Sequence, residues 1–395
     1  MKAKWQTLKL GDVCDFEGGS QPPKSEFIYE PKPNYVRFLQ IRDFGSDKNI
    51  TYIPEAKKNR KCVEDDILIG RYGASVGKIL TNKSGAYNVA LMKTIPDSTL
   101  LTRSWFFNYL ISDEFQNELL NVAERSAQAG FSKDDIYNFP ILVPSISEQQ
   151  RIVAMLDQAF EGIAKARANA QQNLQNARAL FESHLQSVFN QRGEGWVEKT
   201  LSAVCEIKPP KSEAKKLLKN SDLVSFAPME DLGINQKYLK PKKQRTLEDV
   251  AGSYTYFAEG DVLLAKITPC FENGKLGIAK NLINGIGFGS SEYIVFRPNK
   301  ELSNEFLYYF LSRKRFIEEG AVRMSGAVGH KRVSKEFIEE YKVAFPSLDT
   351  QNMMVKKIDN LSKETQRLET LYQRKINLLD ELKKSLLQQA FAGEL

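Results

Sequence analysis

The chain repeats itself, and the way the repeat drifts limits what it can fold into. Trp5 and Cys14 recur as Trp196 and Cys205, a shift of 191. Glu64-Asp65-Asp66-Ile67-Leu68 answers Glu259-Gly260-Asp261-Val262-Leu263, and Asp66 to Asp261 is 195. Asn108-Tyr109-Leu110-Ile111-Ser112 answers Tyr308-Tyr309-Phe310-Leu311-Ser312 at 200. From Pro144 and Pro346 the shift is 202, and it stays 202 to Phe189 and Phe391. Insertions have therefore collected in the first part of each copy and none in the last. Loops on a globular domain tolerate insertions. A long helix packed along its length does not, because one extra residue turns its apolar face by about 100°. Each copy should be a variable globular domain followed by a rigid helix.

The helices are legible in their own right. Pro144-Ser145-Ile146-Ser147 reads as a stop and an N-cap, with Ser147 and Gln150 spaced as a capping box. Apolar or small residues follow at Ile152, Leu156, Ala159, Ile163, Ala166, Ala170, Ala177 and Leu180, a heptad seam. The second copy gives Met354, Ile358, Leu361, Leu368, Tyr372, Leu379, Leu382 and Leu386. Each helix is expected to span about 43 residues, roughly 65 Å. A single helix of that length with an apolar seam needs a partner. The other copy is the obvious one, antiparallel because a whole domain separates the two. His184 falls on this seam and reads as a hydrogen-bonded histidine of the helix pair rather than a ligand.

The globular parts read as mixed α/β. Tyr35 to Ile41 and Asp66 to Gly70 have strand character. Trp105-Phe106-Phe107-Asn108-Tyr109-Leu110 and its counterpart from Glu305 to Leu311 begin core helices. Short helices follow Ser132 and Ser334, both natural N-caps. Residues 190–195 form the linker into the second copy. At 395 residues, with 23 Phe and 15 Tyr, the chain can bury real cores, and its length suggests two or three domains. The N-terminus lacks the apolar stretch of a secretory signal, no apolar run is long enough to span a membrane, and a cytoplasmic protein is expected. Cys14, Cys62, Cys205 and Cys270 form no Cys-x-x-Cys pair, and only His184 and His330 could join them. No metal site is expected, and the cysteines read as reduced, mostly buried residues.

Catalytic motifs fail on spacing. Gly70-Arg71-Tyr72-Gly73-Ala74-Ser75-Val76-Gly77-Lys78-Ile79 resembles a phosphate loop, but three residues separate Gly73 from Gly77 and Ile79 stands where a Ser or Thr must bind magnesium. Gly285-Ile286-Gly287-Phe288-Gly289 is a glycine run without the following helix that a dinucleotide fold needs. Asn138-Phe139-Pro140-Ile141 lacks the second proline of an adenine-methyltransferase motif. Pro96-Asp97 finds no partner Asp/Glu-x-Lys. A net charge of +7 permits an acidic partner without identifying one.

Three loop regions per copy carry the residue types that contact DNA: cations and backbone amides for phosphates, long polar side chains for base edges. The first holds Gln40 and Arg42, answered by Met229 and Glu230. The second holds Arg71, Tyr72 and Ser75, answered by Lys266 and Thr268. The third holds Arg125 and Gln128, answered by His330, Lys331 and Arg332. Lys133 opens the short helix beyond it, whose N-terminus is expected to face an anion.

In this order the parts resemble the specificity subunit of type I restriction-modification enzymes. Val143-Pro144-Ser145-Ile146-Ser147-Glu148-Gln149-Gln150-Arg151-Ile152 is similar to the start of that family's conserved helix, a Pro-rich turn followed by Glu-Gln-x-x-Ile. Leu386-Leu387-Gln388-Gln389-Ala390-Phe391-Ala392-Gly393-Glu394-Leu395 resembles its ending. The second copy departs at Asp349-Thr350-Gln351-Asn352, which lacks the Glu-Gln pair. The resemblance implies an α+β architecture with a pseudo-two-fold internal repeat. Two α/β target-recognition domains, 1–145 and 191–347, would be separated by two long antiparallel helices, 146–190 and 348–395, in a coiled coil. It implies double-stranded DNA as ligand, each domain reading one half of an asymmetric split target in the major groove. The helices would set the spacer and dock two methyltransferase subunits, with motor-nuclease subunits as further partners. No cofactor belongs to this chain on that reading. S-adenosylmethionine would bind the methyltransferases, and ATP and Mg the motor-nucleases. The chain itself would be a non-catalytic recognition subunit. A coiled-coil scaffold without DNA specificity, and a nuclease or methyltransferase with an unrecognised motif, are the alternatives.

Overall fold

A computed structural model describes residues 5–125, 130–327 and 329–395. It divides into two compact units, Met1–Gln171 with Arg374–Leu395, and Gln172–Gln373. Each unit therefore takes one globular domain and a part of each long helix.

In the first unit the short apolar runs pair into two four-stranded sheets. One runs in the order Cys14–Gly18, Leu91–Pro96, Leu68–Gly70, Ile79–Leu80, antiparallel throughout. Leu68, Ile69 and Gly70 are all buried, as a continuous apolar run with no polar face requires. The other runs Tyr52–Pro54, Tyr35–Leu39, Gly85–Tyr87, Lys61–Cys62, with its central pair parallel. A two-stranded ladder of Gln6–Lys9 with Pro140–Val143 ties the start of the domain to the foot of the long helix. Helix Arg103–Leu110 turns Trp105, Phe106, Tyr109 and Leu110 into the core. There Phe391 of the second long helix meets Trp105 and Tyr109, with ring centroids 4.5 and 5.9 Å apart.

The second unit has the same plan. Its first sheet runs Cys205–Ile207, Tyr293–Pro298, Val262–Ala265, Leu276–Ile278. Its second runs Lys243–Thr246, Leu223–Ala227, Ile286–Gly289, Thr255–Ala258, again with a parallel central pair. Strand Val197–Thr200 pairs with Lys342–Phe345. Phe189 of the first long helix packs on Phe306 and Phe310 of helix Asn304–Leu311 at 5.0 and 5.6 Å. The duplication thus holds at the level of strand order, and the fold is mixed α+β.

The long helices cover Ile146–Asn190 and Leu348–Phe391. In the first unit Arg167 Nε meets Asp380 Oδ1 at 2.9 Å, and in the second Arg178 Nε meets Glu369 Oε1 at 3.2 Å. Within the first unit Phe160 lies against Lys383 and Arg167 against Asp380, so residue numbers rise along one helix as they fall along the other and the pairing there is antiparallel. Three local expectations need correction. The first helix is capped by Ser145, whose hydroxyl accepts the Glu148 N–H at 3.4 Å, and not by Ser147, which lies in the first turn. Leu180 and Leu382 are off the seam, 66% and 46% exposed. A straight helix drifts about 20° per heptad, so between the buried Ala177 and Leu185 the partly buried Phe181 takes the place expected for Leu180, and beside Leu382 the exposed Lys383 holds its ammonium 4.9 Å from the Phe160 ring centroid. His184 is accordingly exposed, and Leu185 beside it is buried. The strand expected to reach Ile41 stops at Leu39, and that expected from Asp66 begins at Leu68. Asp43 accepts the Gln40 N–H at 2.6 Å and turns the chain into a 3-10 helix, Ile41–Phe44, while Asp66 accepts the Val63 N–H at 2.9 Å.

All four cysteines are free. Burial pushes the Cys14 and Cys205 thiols up to about 12 and that of Cys62 up to about 11. Among the described residues no helix is long and apolar enough to cross a membrane.

Candidate nucleic-acid interface

Arg71 follows directly on strand Leu68–Gly70 and is half-buried. Its Nε donates to the carbonyl of Phe131 at 3.2 Å and its Nη1 to that of Val89 at 3.4 Å, while the guanidinium lies 5.0 Å from the Tyr72 ring centroid. One side chain therefore ties the second and third loop regions to a further loop, Asn88 to Ala90. Tyr72 is exposed and bridges to Gly130. A Cβ on Gly130 would lie 2.5 Å from the Tyr72 ring and 2.9 Å from the Arg71 carbonyl, so this approach requires glycine. Ser75 is half-buried in the turn after Tyr72 and donates its N–H to the Tyr72 carbonyl at 3.3 Å.

Lys266 occupies the same station in the second unit. Its Nζ donates to the Ser291 carbonyl at 2.9 Å and lies 3.9 Å from Glu292. Its backbone carbonyl accepts the Val333 N–H at 3.0 Å. Ile267 bridges to Arg332 as Tyr72 does to Gly130. Thr268 donates its N–H and its hydroxyl to the Lys331 carbonyl, at 3.0 and 3.2 Å. Arg332 is held by both oxygens of Glu292, at 2.7 and 2.9 Å. His330 and Lys331 are exposed beside it.

The first region joins through the strands. Leu39 accepts the Asn88 N–H at 3.1 Å, so Gln40 starts where the Asn88 loop begins. Arg42 is exposed and reaches back to Thr51 Oγ1 at 3.3 Å. In the second unit Met229 packs on the cluster around Leu232 and Phe257, its carbonyl accepting from Lys275 Nζ at 2.8 Å, and Glu230 is exposed. Arg125 closes helix Asp113–Arg125, and Gln128 lies outside the described residues. The short helices do not offer free N-termini. Ser132 and Asp135 form a capping box at Lys133–Ile136, and Ser334 accepts the Phe337 N–H at 3.1 Å. An anion would meet the helix's own carboxylates there. Lys133 instead lies 5.5 Å from the Tyr137 ring centroid, and the Tyr137 hydroxyl donates to Asp15 at 2.6 Å.

Two features escaped the sequence. The loops from Asn88 to Ala90 and from Ser290 to Glu292 are the hubs on which the other loops close; their signal is a polar break after a buried strand in both copies. The second is a cavity of about 600 Å³ in the second unit, lined by Lys208, Lys211, Lys266 and Lys335 with Tyr254, Tyr256 and Tyr293. Burial, then Lys208 and Lys215, holds the Lys211 ammonium below the usual lysine range, and burial does the same at Lys266. Lys208 stands where the first copy has Glu17, at the shift of 191. Glu17 is taken up by Arg60 at 2.7 Å and by the Tyr87 hydroxyl at 2.9 Å. The two copies therefore share a scaffold and differ in charge at this point.

The fold and its paired loop stations define a duplicated recognition-domain protein. Residues 2–173 and 193–378 match the family described as the type I restriction modification DNA specificity domain, and the chain belongs to that family. It is 33% identical over 177 residues to the type I restriction enzyme EcoAI specificity subunit of Escherichia coli, covering 45% of this chain and 29% of that one. It is 35% identical over 154 residues to the EcoEI specificity subunit of Escherichia coli, covering 39% and 25%. The matched stretches thus span under a third of these relatives. The fold is similar to a structure described as "Structural basis underlying complex assembly and conformational transition of the type I R-M system", with a TM-score of 0.78 at 18% identity over all of both chains. It is also similar to the HsdS subunit from Thermoanaerobacter tengcongensis, with a TM-score of 0.60 at 19% identity over 99% and 97%.

Proposed function

We propose that this chain is the DNA-reading subunit of a type I restriction-modification enzyme. Each domain reads one half of a split, asymmetric target, and the helix pair sets the spacer and docks two methyltransferase subunits. The observation that carries the reading is the shared station of Arg71 and Lys266. The same backbone contacts place a cation beside the same loops in both units, while the surrounding side chains differ. Matching scaffolds with different charges suit two different half-sites. The chain supplies recognition without chemistry. S-adenosylmethionine belongs to the methyltransferase partners, and ATP and Mg to motor-nuclease partners. Within the loops, Gln128 and His330 are the side chains expected to read different halves.

Mapping adenine methylation genome-wide tests this, in a host without methyltransferases of its own. The chain is expressed with its neighbouring methyltransferase and, separately, each protein is expressed alone. A new split motif that needs both proteins is the expected result. Methylation that is unchanged when the chain is left out would show that it contributes no specificity, and would favour the scaffold reading. The purified chain with DNA, Mg and S-adenosylmethionine should neither cleave nor methylate.

A further inference from the structure

On the other side of helix Lys335–Glu340 from the lysine-lined cavity lies a second one of about 860 Å³. Lys335, Ile338 and Glu339 face the first cavity, whereas Glu336, Phe337 and Glu340 face the second. Its most buried charged group is Arg313, only 6% exposed. The guanidinium lies 3.8 Å from the Phe310 ring centroid and 5.1 Å from that of Phe189, and Nε donates to the Phe310 carbonyl at 2.8 Å. Among the described residues no carboxylate pairs with it. Burial accordingly lowers its pKa to about 10. Among the described residues its two terminal nitrogens make no hydrogen bond, so an anion that enters the cavity beside them gains a charge-assisted donor pair. The first copy has the exposed Asp113 at the equivalent position, so the feature is not part of the shared scaffold.

The wall decides which anion. The carboxylates that line the cavity are Glu198, Glu319, Glu336 and Glu340. Glu198 is paired with Arg192 at 2.7 Å and Glu319 with Arg315 at 2.7 Å. The lining offers a polyanion such as DNA no run of free cations, because Arg192, Lys342 and Arg315 are already held by Glu198 and Glu319. A single planar carboxylate carried on an apolar body needs only one cation, and it would find Phe189, Phe310, Phe337 and Tyr341 as apolar wall and Arg313 as a two-pronged donor. A rim of mixed charges around an arginine and aromatic anchor is the composition of a protein-recognition site. We propose that this cavity is a socket for an acidic side chain, flanked by an apolar or aromatic residue, on a partner polypeptide. The proposal does not rest on the DNA-reading role, since none of the loop candidates lines the cavity.

The test uses the full chain with arginine side chains labelled with ¹⁵N. It is titrated with the capped dipeptide acetyl-Phe-Asp-amide, with acetyl-Phe-Asn-amide and with sodium phosphate at constant ionic strength. The Arg313 Nε–H signal, assigned by its loss in Arg313→Lys, is expected to shift saturably with the acidic peptide. The amide peptide should bind about tenfold or more weakly, because it cannot accept a charge-assisted pair. Arg323→Met, at the exposed rim, keeps Arg313 in place and should retain the preference for the acidic peptide, which keeps the test valid if Arg313→Lys does not fold. Equal affinity for the two peptides, tighter binding of phosphate, or no saturable shift in the native chain would overturn the proposal.

Discussion

Gln149 and Gln351 fasten the two long helices to their domains by the same three hydrogen bonds. Gln149 Nε2 donates to the carbonyls of Leu100 and Pro144 at 2.7 and 3.0 Å, and its Oε1 accepts the Thr102 N–H at 2.8 Å. Gln351 does the same with Glu301, Pro346 and Ser303, at 2.8, 2.9 and 2.8 Å. Both side chains have no exposed surface. A buried primary amide satisfied at both ends cannot be replaced by an apolar group without orphaning backbone partners. Gln351→Leu should therefore lower the stability of the second unit by about 2–4 kcal/mol, and Gln149→Leu that of the first. Urea unfolding followed through Trp196 and Trp105 respectively reads the two. A change below about 0.5 kcal/mol in either would show that the bonds are not strained for.

This pair also shows what the sequence could say. The Glu148-Gln149 dipeptide reads as one motif, yet Glu148 sits on the surface paired with Arg151 at 2.8 Å, and only the glutamine is buried. The departure at Thr350 is therefore harmless. The repeat and the long helices are legible because periodicity and the frozen shift are local or directly countable, whereas the strand order is not, because it rests on pairings between segments far apart in sequence. The seam exchange at Leu180 and Leu382 is not, because it depends on accumulated twist between helices. The hub at Asn88 is not, because strands far apart in sequence must first pair to bring it beside Arg71. Lys208 and Lys211 are not legible for the same reason: nothing in their local sequence places them next to Lys266.

If the second unit binds DNA as proposed, Lys208 and Lys211 would contribute phosphate contacts beside Lys266. Their ammonium groups share one cavity with Lys266, and the depressed pKa of Lys211 arises from burial and from neighbouring lysines. Such a cluster favours phosphate over base edges. Lys208→Met should weaken binding to all duplex sequences alike and lower the slope of log affinity against log salt by about 1. Filter binding between 50 and 200 mM salt, about the range over which phosphate contacts are lost, measures this. An unchanged slope would remove the cavity from the DNA path.

Thiol chemistry separates the cysteines. Burial raises Cys14, Cys62 and Cys205 well above the usual thiol range, whereas Cys270 is only half-buried. A thiolate is the reactive form. With a disulfide reagent at about pH 8, near the ordinary thiol value, the native chain should label at Cys270 first, and the other three only after denaturant. Mass spectrometry of the labelled peptides reports the order, and early labelling of Cys14 or Cys205 would contradict the packing described for the two sheets.

Glu292 holds Arg332 through both oxygens, so on the proposed DNA-reading role it would set how much charge Arg332 offers to DNA. The Arg332 hydrogen bond is the main cause that holds the Glu292 carboxyl below its usual range. For a carboxyl with a depressed folded value, the stabilisation is present above the unfolded value and is lost as pH falls through the folded one. The pair should thus hold Arg332 at neutral pH and release it only below about pH 4.3, the ordinary glutamate value. Glu292→Gln makes that release permanent. It removes one negative charge beside Lys266 and frees a guanidinium, so non-specific duplex affinity at neutral pH should rise by about threefold to tenfold, with a salt slope steeper by about 1. The half-site read by the second unit should lose discrimination, because the arginine is no longer held in one place, while the half-site read by the first unit is unchanged. Methylation profiling of the variant separates the two halves. Lower affinity in Glu292→Gln would mean that the ion pair presents Arg332 to DNA rather than restraining it.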